Sequence, residues 1–461
     1  MALVAVSMVA IISMAALSID LGTLYEAKAE AQRAADLAAL AAARVISVEG
    51  VTGDPNGATD GNWAPICGSA TSAASSSATN VAYQNLIAGA AASTVYVYYG
   101  TNGAMGTDQN CTDAGAAFAV NPIVQVYVQQ KTLPTFFAHI FSLLPTGTSS
   151  NSGVSATATA EAFNSSGQAS YAVQPRCVKP LMVPNYDPVH IPGGFVTFAA
   201  DGEITKPGVY TTGVIGENFW LVPFCTQAGG APACVLNGTS TPKANTGYAP
   251  GNTGGSFNLQ YLPGEPPLSS VAVPTSGTAC SNATSPFAQA IAGCDQTTQY
   301  QCGQSTNVVD FATEDPTNPD ATNGGQCLIH QTTNTGSDTL GPALLSGQDT
   351  LAPFPILPAA YPFEIEAGTQ NPLIGIGTPP VSSGSVITSS TSIASLPIFN
   401  PVPMTNPTTV TIVGFLQVFI NFVDANGNMN VTVINVSGCG SSPGTVLNGT
   451  SPVPIRLITP Q

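Results

Sequence analysis

Charge is scarce in this chain. Only 7% of its 461 residues are Asp, Glu, Lys or Arg, against about a quarter in ordinary soluble domains. The scarcity does not signal disorder, because 44% of the residues are apolar and supply ample surface to bury. Basic residues are scarcest of all: nine face twenty-five acidic ones, for a formal net charge of −16. A polyanion would be repelled, which excludes a nucleic-acid binder. Histidine is nearly absent. His139, His190 and His330 stand at no spacing that builds a triad, a zincin helix or a facial metal triad. They are expected to be structural, and the chain is not expected to be an enzyme. No CxxC pair occurs, which excludes paired zinc knuckles. Only Trp63 and Trp220 could stack on a sugar, so a secreted hydrolase or carbohydrate-binding module finds no support. No fixed-period repeat is visible.

Ala, Gly, Ser, Thr, Asn and Pro fill the space left by charge, the mark of a β-rich, loop-rich protein kept soluble by hydroxyls and amides. Ten cysteines stand among them: Cys67, Cys111, Cys177, Cys225, Cys234, Cys280, Cys294, Cys302, Cys327 and Cys439. An even number without metal spacing implies disulfides made in an oxidising compartment, and hence an exported protein. Their connectivity does not follow from sequence. Cys225–Cys234 and Cys294–Cys302 would close short loops, and Cys67–Cys111 would clamp the first module.

The chain's one long apolar run is at its start. Residues 1–19, from Met1 through Ala5 and Ile12 to Ile19, carry no charge and would make about 28 Å of helix, near one hydrocarbon thickness. Apolar side chains surround the whole cylinder, so burial of a single face cannot satisfy it. It needs lipid or other helices. Asp20 and Gly22 end the run, and a second helical stretch follows that is rich in alanine, including Ala35, with Glu26, Lys28, Glu30, Arg33 and Asp36 interspersed. Alanine favours helix and lets helix axes approach closely. Asp20 has two readings: it marks the water interface, or it pairs with the Met1 amine of a staggered neighbour. The run lacks a basic leader, as removal by a prepilin-type peptidase, or a start inside the encoded chain, would leave it.

The stretch Ser18-Ile19-Asp20-Leu21-Gly22-Thr23-Leu24-Tyr25, with Gln32-Arg33-Ala34-Ala35-Asp36-Leu37-Ala38-Ala39-Leu40-Ala41, resembles the N-terminal segment of TadE/TadG-like tight-adherence pilus-assembly proteins. Weaker similarity continues through Pro134-Thr135-Phe136-Phe137-Ala138 and through Val154 to Glu161. Still weaker echoes are Cys177-Val178-Lys179-Pro180, Val413-Gly414-Phe415 and Pro454-Ile455-Arg456-Leu457. The resemblance implies an inner-membrane anchor facing the periplasm, or a pilin-like subunit. The sequence departs from its relatives in having Ala5 where many type IV pilins carry glutamate. It also lacks the Asp-x-Ser-x-Ser of a von Willebrand A domain.

Beyond the helix, residues 50–62 read as a hinge. Residues 80–90 and 135–144 have helical spacing, while 94–99, 123–130 and 154–163 read as strands. From residue 171 onward helices nearly vanish, and residues 415–423 with 429–436 form a strong hairpin signal around Asn426-Gly427. Proline keeps 352–380 extended. Calcium candidates are Asp310, Glu314, Asp315 and Asp320, otherwise a solvated loop. Asp424, Asn426, Asn428 and Asn430 read better as a turn than as an ion loop. No other cofactor is expected. Sequons at Asn110, Asn164, Asn237, Asn282, Asn430, Asn435 and Asn448 are no more frequent than this Ser/Thr content gives by chance.

The expected fold is α+β: a long N-terminal apolar helix (1–47), a small α/β module (48–170) and a large β-rich, disulfide-braced domain (171–461). The expected function is a pilin-like subunit that polymerises through its helix into an extracellular filament. Its expected partners are its own copies, the membrane before assembly, and secretion machinery. The alternative is an inner-membrane-anchored accessory or surface protein that does not polymerise.

Overall fold

The computed structural model describes residues 2–54, 63–101, 104–105, 109–114, 116–133, 153–166, 172–190, 193–197, 202–209, 212–223, 244–246, 257–265, 267, 269–274, 280–310, 320–331, 347–352, 363–376, 380–401, 408–440, 446–449 and 451–459. In the first helix, the side chains at 2–3, 5–6, 9–10 and 13 fall outside that set. The architecture is the expected one: a long N-terminal helix, a small α/β part, then a β-rich, disulfide-braced region. The chain divides into two compact units, residues 1–46, 58–162 and 455–461 forming one and residues 47–57 and 163–454 the other.

In the first unit a single helix, Ala2–Glu49, begins. Its 48 residues make a rod of about 72 Å. From Ala27 onward one stripe turns inward: Ala31, Ala34, Ala35, Ala38, Ala39, Ala42 and Ala43 are all fully buried. The unit's sheet is antiparallel, in the order Ile455–Ile458, Val154–Ala162, Ile123–Gln130, Thr94–Thr101, Ala104–Met105. Pairing places Val97, Val126 and Ala158 on one face with Tyr99, Val124 and Ala160, and all six are buried. Tyr96, Tyr127 and Thr157 share the other face.

The strand Ile455–Ile458 covers only residues 159–162 of its neighbour, so the carbonyls of Ser155 and Thr157 lie at an open edge. The helix caps them: Lys28 Nζ donates to Ser155 O, and Gln32 Nε2 to Thr157 O at 3.2 Å. Four helical residues advance about 6 Å and two strand residues about 6.6 Å, so helix and strand run side by side here. The expected Cys67–Cys111 bridge forms, with Cα atoms 5.5 Å apart. Nearby, Trp63 meets Phe118 edge-on at 5.1 Å, and the Tyr99 hydroxyl lies 2.7 Å from Ser75 Oγ. The helix expected over 80–90 falls at Ala73–Gln84, because Asn85 turns extended, and Ala88 and Gly89 then take positive φ in a separate tight turn. The segments expected as a helix at 135–144, and His139 within it, lie outside the described residues.

In the second unit six strands close a barrel. Their order is Leu181–Pro184, Ile393–Phe399, Ile412–Val423, Met429–Gly438, Asn218–Pro223, Phe257–Pro263, and the last pairs back onto the first through Leu181 with Pro263. The expected hairpin is present as Ile412–Val423 and Met429–Gly438. Its turn is held by Asp424, whose Oδ1 accepts from Asn426 N and Asn428 N, both at 2.8 Å, and whose Oδ2 accepts from Asn428 Nδ2 at 2.7 Å. Those bonds support the turn reading of this loop.

Strand Met429–Gly438 is buried along both faces. Met429, Val431, Val433 and Val436 enter the apolar core with Leu396, Leu416 and Leu221. The opposite face is polar, and its side chains satisfy one another. Asn421 Nδ2 donates to Asn430 Oδ1 (3.0 Å) and Thr432 Oγ1 (2.8 Å), and Asn218 Nδ2 donates to Asn430 Oδ1 (2.9 Å). Asn435 Nδ2 donates to Ser47 O (3.1 Å), and Asn164 Nδ2 to Val436 O (2.9 Å). The sequons at Asn164, Asn430 and Asn435 are therefore sealed inside the folded unit and closed to glycosylation.

Two expectations are corrected here. Cys294 bonds to Cys177 and Cys302 to Cys439, so the short Cys294–Cys302 loop does not form. Loop length governs closure in the unfolded chain, whereas the barrel decides which Cβ atoms meet, and Cys302 already bridges Ile412 in the sheet. Cys280 pairs with Cys327; Cys225 and Cys234 lie outside the described residues. The second correction is the helix Asp320–Leu328, where only loop was expected. It lies close on helix Pro286–Ala292 because Gly324 has no Cβ; one there would sit 2.6 Å from Ala288 O.

Glu49, the last residue of the long helix, is buried in this unit. Burial, then the charge of Glu364, pushes its carboxyl up to about 8 from 4.5. The folded chain holds this proton while the unfolded chain releases it, so stability falls as pH rises from 4.5 to about 8. Glu49→Gln should remove that loss and exceed the wild type by about 3–5 kcal/mol at pH 8.5, with little difference at pH 4. Urea melts across that range check it.

Candidate functional site

The candidate functional feature is the first half of the long helix. It contains no helix breaker and no charge before Asp20, so nothing in it favours a turn or a solvated face. Val4, Met8, Ile11, Ile12, Met14, Leu17, Ile19, Leu21 and Tyr25 are all exposed, Ile11 to 64% and Met14 to 67%. At 100° per residue, Ile11, Ile12, Met14 and Leu17 point in four different directions about the axis. A soluble monomer rarely leaves so large a contiguous apolar surface open. Returning these nine side chains to an apolar setting is worth on the order of 10 kcal/mol.

The other expected assembly residues are placed differently. Asp20 is buried, only 3% exposed, and its carbonyl accepts from Thr23 Oγ1 at 2.8 Å. Gly22 faces open space. Ala35 is fully buried within its own chain, and Asp36 Oδ1 accepts from Gln32 Nε2 at 2.8 Å. Met1 and the side chain of Ala5 lie outside the described residues. The segment is therefore open at its described side chains before Ala16, carries a covered stripe from Ala16 and Asp20, and from Ala27 onward is occupied within its own chain. Among the described residues no helix is long and apolar enough to cross a membrane.

Two of the four calcium candidates fall within the described residues. Asp320 is buried at the start of its helix, Asp310 donates its backbone N–H to Pro263 O, and Glu314 and Asp315 lie outside the described residues. Of the histidines, His330 is buried, and burial lowers its pKa against the pull of Asp349. His190 stands against Asp187 and Glu217. Sequence reasoning had missed that grouping: Asp187 and His190 are three apart, but Glu217 comes from another strand, and no motif links them.

Lys179 is buried as well. The Cys177–Cys294 bridge holds its surroundings, its Nζ donates to Gly293 O at 2.6 Å, and burial draws it down to about 7 with Asp295 opposing.

Residues 1–45 match the Tad family, described as Flp pilus-assembly TadE/G-like. No curated protein and no solved structure matches the chain. The match coincides with the long helix and ends before the first strand. The chain thus carries a TadE/G-like segment at its N-terminus, which ties it to Flp (Tad) pilus assembly.

Proposed function

We propose that the protein is a pilin-like structural subunit whose N-terminal helices bundle as the core of an extracellular filament. The observation that carries this reading is the exposed, all-round apolar half of the helix Ala2–Glu49. The same surface suits a bilayer before assembly, so one segment serves both stages. Repeated head-to-tail contacts that do not close into a ring build a helical filament, and each added copy buries more of this surface. The disulfide-braced unit, stable in an oxidising compartment, would form the outer sheath. A prepilin-type peptidase and a secretion machinery are the partners this route requires.

The second reading rests on the family match, which concerns pilus assembly in general. In it the helix anchors a periplasm-facing accessory in the inner membrane, and the chain never polymerises. Electron microscopy of material sheared from cells, with N-terminal sequencing of its main band, separates the two. Fibres made of this chain support the subunit. Fibres without it, and the chain retained in the membrane fraction, support the accessory.

A further inference from the structure

One end of the barrel holds a cluster on which the proposed filament reading does not draw. Asp187 lies in the turn after strand Leu181–Pro184, and its Oδ1 accepts from the N–H groups of Val189 and His190, both at 2.9 Å. Its other oxygen, Oδ2, is left 3.1 Å from His190 Nδ1. Glu217 opens the strand Asn218–Pro223. Gly216 N–H donates to Val433 O (2.8 Å) and Val433 N–H to Glu217 O (2.9 Å), which locks its backbone to the barrel. Glu217 Oε1 comes to 2.6 Å from the same His190 Nδ1.

The Glu217 side chain is 0% exposed. Neither of its oxygens has an aligned hydrogen bond among the described residues, so the 2.6 Å approach to His190 is a contact without hydrogen-bond geometry. Two buried carboxylates side by side cannot both stay charged without a cation. Something positive, a proton or a metal, belongs between these groups.

We propose that Asp187, His190 and Glu217 form a site for a divalent transition metal of the zinc class. One imidazole nitrogen and two carboxylate oxygens converge, all within 4.8 Å of one another. Donors about 2.0–2.2 Å from a shared ion stand roughly 3.0–3.5 Å apart, so a small opening of the His190–Glu217 contact makes room. An imidazole donor selects zinc and its neighbours over calcium or magnesium. His190 is 18% exposed, which gives the ion a path in and a side for a fourth, water ligand. Bound there, the metal fastens the turn after Leu181–Pro184 to the strand that begins at residue 218.

The test uses the full chain in detergent, stripped with EDTA, dialysed and titrated with zinc chloride. Elemental analysis should find about one zinc per chain, and zinc should raise the thermal midpoint. His190→Gln and Asp187→Asn should each weaken zinc binding at least about ten-fold. The part-exposed His190 makes H190Q the variant expected to melt like wild type in EDTA. Wild type that takes up no more zinc than H190Q, or whose midpoint zinc leaves unmoved, overturns the proposal and leaves a proton-bridged cluster. An equal midpoint shift with calcium overturns the transition-metal assignment.

Discussion

A chain lacking residues 2–19 stays monomeric in water and forms no fibres, while the intact chain requires detergent, a bilayer or its own copies. The deletion removes Val4, Met8, Ile11, Ile12, Met14, Leu17 and Ile19, which are exposed, and of the described side chains only Ala16 is buried. It spares buried Asp20, the buried alanines from Ala27 onward and the caps at Lys28 and Gln32. The two units should therefore melt as before, by circular dichroism. What disappears is an association energy on the order of 10 kcal/mol per subunit, a factor of roughly ten million in an equilibrium constant. Sedimentation and electron microscopy read the difference. Intact chain that sediments as a discrete monomer without detergent would show that the exposed helix needs no partner, and the subunit and anchor readings would fall together.

The second large effect belongs to the Cys302–Cys439 bridge, which joins residues 137 apart in sequence. Chain-entropy arithmetic for so long a loop gives about 5 kcal/mol, and removing native bridges typically costs about 2–5 kcal/mol. Replacing both cysteines with serine should lower the urea midpoint of the barrel unit by an amount in that range. Replacing Cys67 and Cys111, separated by 44 residues, should weaken the first unit and leave the barrel transition in place. An unchanged barrel midpoint in the Cys302→Ser, Cys439→Ser chain would show that the sheet alone holds these ends.

The long helix could be read in advance because nineteen uncharged residues leave no ambiguity of period or face. Strand Ile123–Gln130 was legible through its alternation of valines with Gln125, Tyr127 and Gln129, and the late hairpin through Asn426-Gly427. The helix Asp320–Leu328 was not. It has Gly324 and Gly325 at its centre and almost no apolar pattern, and it exists because Gly324 lets it lie against Pro286–Ala292 and Gly325 against Val423 and Met429 of the hairpin. Closure of the barrel was equally hidden, since it depends on Leu181 and Met182 meeting residues some eighty positions away. The Asp187, His190 and Glu217 cluster inherits the same opacity, because only the barrel brings its members together.

The strand Ile455–Ile458 has a consequence for how the molecule comes into being. A ribosome delivers the long helix and the strands up to Ala162 first, then nearly three hundred residues of another unit, and only then the segment that pairs with Thr159 through Ala162. The opening sheet must wait, incomplete along that border, until the far end of the polypeptide emerges. Arg456, joined to Glu161 by an ion pair, works as its latch. A tag or truncation at the tail therefore disturbs the earliest-made part of the molecule and not the part that was made just before it.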